Sequence, residues 1–244
     1  HANEWITATV LLKFAEELSR AILEKGSVYG IPANLFEENC QIFLVPMVDP
    51  DGVDLVTGGI PLGSVQWEKA KNLAGNYPAI PFPNGWKANL LGVDLNLQYP
   101  AGWLQAREIK FSQGYTRPGP RDYVGKAPLT QRESRALADF TRYLDPALIL
   151  AYHTQGEQIY WKYDDIDVPG ALALGQEFAR LSGYALAETP YVSGFAGYKD
   201  WFIKTWRRPG FTIEAGLGEN PLPLSQFDSI YAKNLGILTT AALG

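Results

Sequence analysis

Short apolar runs that predict strands alternate with longer segments of helical periodicity through most of the chain. Residues 5–24 repeat apolar side chains at the spacing of an amphipathic helix, and Gly26 follows as a stop signal. The same criteria predict strands at 41–48, 147–152 and 210–214 and further helices at 129–143, 169–182 and 224–242. This alternation predicts an α/β fold with a mixed, largely parallel sheet and helices on both of its faces.

Two stretches lack this periodicity. Asp49-Pro-Asp-Gly52 carries the residue types of a tight turn and follows the first predicted strand. Residues 57–92 are rich in Gly, Pro, Asn and Trp, which predicts a long ordered excursion over the surface. Loops of this kind often contribute to active sites.

Composition and charge exclude several classes of protein. The 244 residues, 46% hydrophobic and 19% charged, are typical of a single globular domain. No apolar run is long enough to span a membrane. The net charge of −5, without a cluster of Lys or Arg, argues against a nucleic-acid partner. A single cysteine, Cys40, leaves the cellular compartment open.

The two histidines of the chain are the first candidates for chemistry. His1 stands three residues before Glu4, and His153 follows the predicted strand at 147–152. Catalytic zinc takes three nitrogen or oxygen ligands from the protein and keeps one position open for water. A His and a Glu three residues apart can face one point, although such pairs also arise by chance. Taken alone, His153 is better interpreted as a hydrogen-bonded core histidine at the end of a strand.

Five short motifs give these residues a context. In chain order they resemble the successive motifs of the zinc carboxypeptidase family: His1-Ala-Asn-Glu4, Val45-Pro-Met-Val-Asp-Pro-Asp-Gly52, Gly92-Val-Asp-Leu-Asn96, Ala151-Tyr-His153 and Phe211-Thr-Ile-Glu214. Within the family, the stretches at 96–103 and 193–201 most resemble bacterial γ-D-glutamyl-L-diamino acid endopeptidases, which cut the peptide stems of peptidoglycan.

The resemblance implies a fold and a domain organisation. Members of the family have a mixed eight-stranded sheet, in agreement with the alternation of strands and helices. They ordinarily carry several strands and a helix before the first metal ligand, whereas this sequence begins on that ligand. We therefore expect residues 1–244 to form one catalytic domain whose N-terminal part is missing.

The resemblance also assigns the metal site. It implies zinc as the cofactor, with His1, Glu4 and His153 as its ligands, and it makes Glu214 the general base. Family members stabilise the oxyanion with an arginine that follows a tryptophan. Here Lys87 follows Trp86 and takes that position, where an ordinary exposed lysine is an alternative interpretation.

Three further residues correspond to substrate-binding positions. Asn96 matches the family, but Leu97 replaces the arginine that grips a terminal carboxylate in exopeptidases. The enzyme therefore either cuts inside a chain or holds the carboxylate elsewhere. Lys199 falls at the floor of the specificity pocket, where it favours the carboxylate of meso-diaminopimelate, unless it is a solvated surface charge. Tyr191 is nearest to the family's mobile tyrosine, with a packing role as the alternative.

The function expected from the sequence is zinc-dependent hydrolysis of the γ-D-glutamyl-meso-diaminopimelate bond, with peptidoglycan stem peptides as the partners. Alternatives are a zinc carboxypeptidase, an amide hydrolase acting on another small acidic substrate, and a murein-binding module without catalysis. The oligomeric state stays open.

Overall fold

The computed structural model describes residues 1–244 and contains nine α-helices and six strands. No helix combines the length and the apolar character that crossing a membrane requires. In chain order the elements are α1 (Ile6–Glu24), β1 (Ser27–Val28), β2 (Ile31–Pro32), α2 (Asn34–Asn39), α3 (Pro50–Thr57), α4 (Val65–Ala74), α5 (Trp103–Ser112), α6 (Arg132–Leu144), β3 (Ile149–His153), β4 (Gln158–Tyr160), α7 (Ala171–Ser182), β5 (Ala185–Ala187), α8 (Tyr198–Trp206), β6 (Gly210–Glu214) and α9 (Phe227–Leu243).

The central sheet has four strands in the order β3-β6-β4-β5. β3 runs parallel to β6 and β4 parallel to β5, while β4 and β6 are antiparallel. The prediction of a mixed, largely parallel sheet is therefore confirmed, but the expected eight strands are wrong. The remaining two strands, β1 and β2, form a separate antiparallel pair.

Helices cover both faces of this sheet. Phe211 and Ile213 of β6 join a core of 18 buried residues that includes parts of α1, α7 and α9, and the Phe211 ring lies 4.9 Å from that of Phe178. On the other face α8 approaches closely, because a Cβ on Gly210 would lie 3.1 Å from the Phe202 ring. Alternation along β6 then places Glu214 on the face of Gly210, away from the large core.

The predicted strand at residues 41–48 does not form. This segment is extended and its exposure alternates from residue to residue, as a strand pattern demands, but its backbone groups form no hydrogen bonds with other backbone groups. No strand lies alongside it with which it could form backbone hydrogen bonds. An apolar cavity of about 930 Å³ separates it from the free edge of β3.

The stretches after this segment contain two helices that the sequence did not predict. The turn expected at Asp49 to Gly52 is the start of α3, where the Asp49 carboxylate accepts a hydrogen bond from the Gly52 N–H at 3.1 Å. The excursion at 57–92 contains α4, whose first turn is capped by Ser64. Ala70 and Ala74 of α4 pack with the fully buried Trp86 in a small core of their own, beside Ala2.

Candidate metal centre

Four of the predicted residues lie at the ends of secondary-structure elements. His1 precedes a single buried 3₁₀ turn, Ala2–Glu4, and Glu4 ends it just before α1. His153 ends β3 and Glu214 ends β6, and the two are paired in the parallel register. These two strands end at the same edge of the sheet. The 3₁₀ turn before α1 brings His1 and Glu4 to that edge, beside His153 and Glu214.

The side chains of His1, Glu4 and His153 converge on one point. His1 Nδ1 lies 3.0 Å from Glu4 Oε1, His153 Nδ1 lies 2.9 Å from Glu4 Oε2, and the two Nδ1 atoms are 3.1 Å apart. Tetrahedral zinc ligands at their usual bond lengths lie roughly 3.3–3.6 Å from one another. The three groups therefore fit zinc after an opening of a few tenths of an ångström, and their two nitrogens and one carboxylate are a donor set that zinc prefers.

A second carboxylate orients His1. His1 Nε2 lies 3.1 Å from Asp94 Oδ1, and Asp94 also accepts hydrogen bonds from the N–H groups of Asn96 and Asp122. A carboxylate that binds the outer nitrogen of a ligating histidine sets the orientation of its ring. Sequence reasoning missed Asp94, although the residue stands inside a motif that was singled out. The signal was an acidic side chain between two apolar residues, Val93 and Leu95, both of which are buried.

The charges of the centre are strongly coupled. Burial alone would lower the pKa of His1, but the carboxylates of Glu4 and Asp94 raise it to about 10. Burial would raise the pKa of Glu4, and the neighbouring His1, Lys87 and His153 together hold it well below its ordinary value. Lys87 Nζ lies 2.6 Å from Glu4 Oε1. One buried carboxylate is thus shared by three basic groups, which a divalent cation can displace or rearrange.

Glu214 stands beside this cluster without joining it. Burial, and then the negative charge of Glu4, raise the pKa of Glu214 to about 7. A carboxylate with a pKa near neutrality can accept a proton and later release it, as a general base must.

A polar cleft of about 290 Å³ opens over the centre. It brings together six of the predicted residues: His1, Lys87, Asn96, His153, Lys199 and Glu214. Glu4 lies directly beneath, bonded to both histidines. Tyr191 does not line the cleft; it is 71% exposed on the turn Tyr191–Ser193 and contacts the Phe195 ring.

The first turn of α8 holds one residue of the cleft, Asn96, and contains another, Lys199. Asn96 accepts a hydrogen bond from the Tyr198 N–H through its side-chain oxygen, so its amide nitrogen stays free. Lys199 is buried, donates to the Lys162 carbonyl at 2.6 Å and to the Thr189 hydroxyl at 3.2 Å, and lies 2.7 Å from Asp200 Oδ1. Leu97 also lines the cleft, but its side chain is buried in a small apolar core.

Two imidazoles and a carboxylate at the end of a mixed α/β sheet, with a separate carboxylate across an open cleft, define the class of zinc-dependent hydrolases. Within that class the chain belongs to the zinc carboxypeptidase family, whose model matches residues 1–235. Zinc is accordingly its cofactor.

Individual relatives agree with this assignment. The chain is 46% identical over 237 residues to the γ-D-glutamyl-L-diamino acid endopeptidase 1 of Lysinibacillus sphaericus, with 97% of the chain and 58% of that relative covered. The solved structure of thrombin-activatable fibrinolysis inhibitor matches with a TM-score of 0.70 at 18% identity, covering 99% of the chain and 59% of that structure. Carboxypeptidase A from Helicoverpa armigera matches with a TM-score of 0.64 at 17% identity, covering 99% and 59%. The fold is therefore carboxypeptidase-like, and the chain spans only part of each of these proteins.

Proposed function

We propose that residues 1–244 are one catalytic domain that hydrolyses the γ-D-glutamyl-meso-diaminopimelate bond of peptidoglycan stem peptides with zinc. The convergence of His1, Glu4 and His153 beneath a cleft that contains Glu214 carries the proposal. The name of the relative that is 46% identical supports the substrate class. A murein-binding module without catalysis would need no carboxylate with a pKa near neutrality facing the metal ligands.

Each residue has a distinct part in this proposal. Zinc, when bound, acts as a Lewis acid and lowers the pKa of water. Glu214 takes the proton from the attacking water and passes it to the leaving nitrogen. Lys87, beside the ligand carboxylate, balances the negative charge that develops on the scissile carbonyl oxygen.

The remaining residues bind the substrate. The free amide nitrogen of Asn96 donates to the substrate backbone. Lys199 pairs with the carboxylate at the end of the diaminopimelate side chain, which takes the place of the Thr189 hydroxyl. Tyr191 folds over the bound peptide from its exposed turn. The Leu97 side chain carries no donor for a terminal carboxylate, which favours cleavage inside a chain over simple carboxypeptidase action.

The test is mass spectrometry of L-Ala-γ-D-Glu-meso-diaminopimelate incubated with zinc-loaded protein. We expect release of L-Ala-D-Glu, and we expect it to disappear with a chelator and with Glu214→Gln. Glu214→Gln should retain zinc, measured by elemental analysis. Glu219→Gln, which neutralises an exposed carboxylate five residues further along the chain, should cleave normally. A protein that binds zinc and leaves the tripeptide intact would overturn the proposal.

A further inference from the structure

Arg121 stands at the wall of the cleft on a segment that is anchored to the metal centre. The carbonyl oxygen of Pro120 accepts hydrogen bonds from the N–H groups of Lys87, at 2.7 Å, and Ala88, at 2.9 Å. On its other side, the Asp122 N–H donates to Asp94 Oδ2 at 3.1 Å. Asp94 in turn binds His1. The backbone of Arg121 therefore cannot move far relative to the zinc ligands.

The guanidinium of Arg121 is held on one side and free on the other. Its Nε donates to Asp122 Oδ2 at 2.7 Å, and the other oxygen of Asp122 lies 2.6 Å from Lys110 Nζ. Asp122 thus orients Arg121 and is itself fixed by the buried Lys110. The three side chains together carry one net positive charge. Both terminal nitrogens of Arg121 lack a hydrogen-bond partner in the protein, and the side chain is 41% exposed at the cleft.

A free planar pair of N–H donors is suited to one kind of ligand. Two parallel hydrogen bonds from an arginine match the two oxygens of a carboxylate, and a lysine cannot reproduce that geometry. The cleft has a second cationic end at Lys199, but that ammonium already contacts Lys162, Thr189 and Asp200. Arg121 is therefore the cation of the cleft that is best prepared to receive an anionic group.

The position of Arg121 indicates which carboxylate it receives. Lys87, its neighbour, faces the scissile carbonyl in the proposed reaction, whereas Lys199 holds the leaving diamino acid. Arg121 consequently meets the acyl half of the substrate. A γ-linked glutamyl residue has a free α-carboxylate in that half, and an ordinary α-linked peptide has none at this place.

We propose that Arg121 binds the free α-carboxylate of the γ-linked D-glutamyl residue and thereby selects γ-glutamyl over α-linked peptides. The inference rests on the proposed function and adds the residue that reads the linkage. Arg121 would then give the cleft a carboxylate-binding arginine, whereas Leu97 stands where exopeptidases of the family carry theirs.

The experiment compares two substrates, L-Ala-γ-D-Glu-meso-diaminopimelate and its analogue with the glutamyl α-carboxylate converted to a carboxamide. For the natural protein we expect kcat/KM to fall about 30-fold or more on the analogue, the loss of charge-assisted hydrogen bonds. Arg121→Gln should show a fall of similar size on the carboxylate substrate and little further loss on the analogue. Arg121→Lys should recover only part of the preference, because an ammonium lacks the paired geometry.

Arg117→Gln is the matched control, since it removes the same charge from an exposed position of the same loop. It should leave the ratio between the two substrates unchanged. Zinc content and the far-ultraviolet circular dichroism of all variants should be equal. If Arg121→Gln lowers kcat/KM equally on both substrates, or on neither, the assignment of Arg121 is overturned while the proposed function stands. If the natural protein cleaves neither substrate, the proposed function itself fails and the assignment fails with it.

Discussion

Glu4 is the residue on which the charges of the centre meet. One of its oxygens faces His1 and Lys87 and the other faces His153, all within 3.0 Å. The three basic partners balance the negative charge of this buried carboxylate. One of them, Lys87, contacts an oxygen that a bound metal ion would also use. Since zinc would compete with Lys87 for the same oxygen, we expect the ammonium to turn toward the cleft when zinc binds.

The expected turn of the Lys87 ammonium toward the cleft leads to a prediction about catalysis. Replacement by Met removes the positive charge beside the carbonyl oxygen, and we expect kcat to fall about 100-fold or more, the usual cost of losing one oxyanion donor. Lys87→Arg should retain much of the activity. Steady-state kinetics on the tripeptide substrate, with zinc content measured in parallel, tests this. An unchanged kcat with a raised KM would assign Lys87 to substrate binding instead of catalysis.

At the scale of single elements, the sequence predicted what depends on local pattern. The helix at 5–24 and the strand at 210–214 form within a residue of their predicted bounds, because each carries its periodicity along its own length. The failure at 41–48 has a different origin. Its run of apolar and branched residues is typical of a buried strand, but a strand needs a neighbour, and the pattern does not say whether one is present.

Helix α4 shows a second limit of local pattern. Its 10 residues are mostly polar on the surface, and its buried side is made by small residues such as Ala70 and Ala74. Alanines give little hydrophobic contrast, so the helical period is hard to read. The Ser64 cap, three residues before Trp67, was the available signal.

The start of α3 leads to a prediction about pH. Burial raises the pKa of Asp49 from its ordinary 3.8 to about 7, although the Gly52 N–H opposes the shift, and Glu133 and Asp51 add to it. The native state therefore keeps this proton longer than the unfolded chain does. Stability should fall as pH rises from about 4 to about 7, and the loss is complete above that range.

Asp49→Asn tests the prediction, because asparagine caps a helix without ionising. Measured by urea unfolding with chelator present, the variant should gain about 1–3 kcal/mol relative to the natural protein between pH 4.5 and pH 8. Asp51→Asn, which removes an exposed charge from the same turn, should show little such gain. A constant difference at all pH values would mean that Asp49 is ionised throughout.

The core beneath β6 gives a prediction about packing. Phe211 is fully buried and its ring meets Phe178 at 4.9 Å, between the sheet and α7. Phe211→Ala should cost about 3–5 kcal/mol of unfolding free energy, from lost transfer energy and the cavity left behind. Phe43→Ala, at a residue that is 52% exposed, is the control and should cost much less. Similar losses in both variants would contradict this description of the core.

At the scale of the whole molecule, the metal site joins distant parts of the chain. His1 and His153 are 152 residues apart, yet their ring nitrogens lie 3.1 Å from each other. The resemblance predicted this meeting, since the first and fourth motifs contain the residues that match the family's zinc ligands. The motifs could not reveal Asp94 or the free side of Arg121, because their roles depend on which side chains face each other across loops.

Zinc should therefore act as a structural link as well as a cofactor. Free zinc at a thousand times its dissociation constant stabilises the folded state by about 4 kcal/mol, which corresponds to a rise of about 10 °C in Tm for a domain of this size. Differential scanning calorimetry with graded zinc should show this rise, and His153→Ala should abolish it. Comparing the shifts, and not the absolute Tm values, separates the loss of a ligand from the loss of a packed side chain. An equal shift in His153→Ala would mean that zinc binds elsewhere, because a ligand set that joins the first residue to the end of β3 cannot keep its affinity after losing one of three ligands.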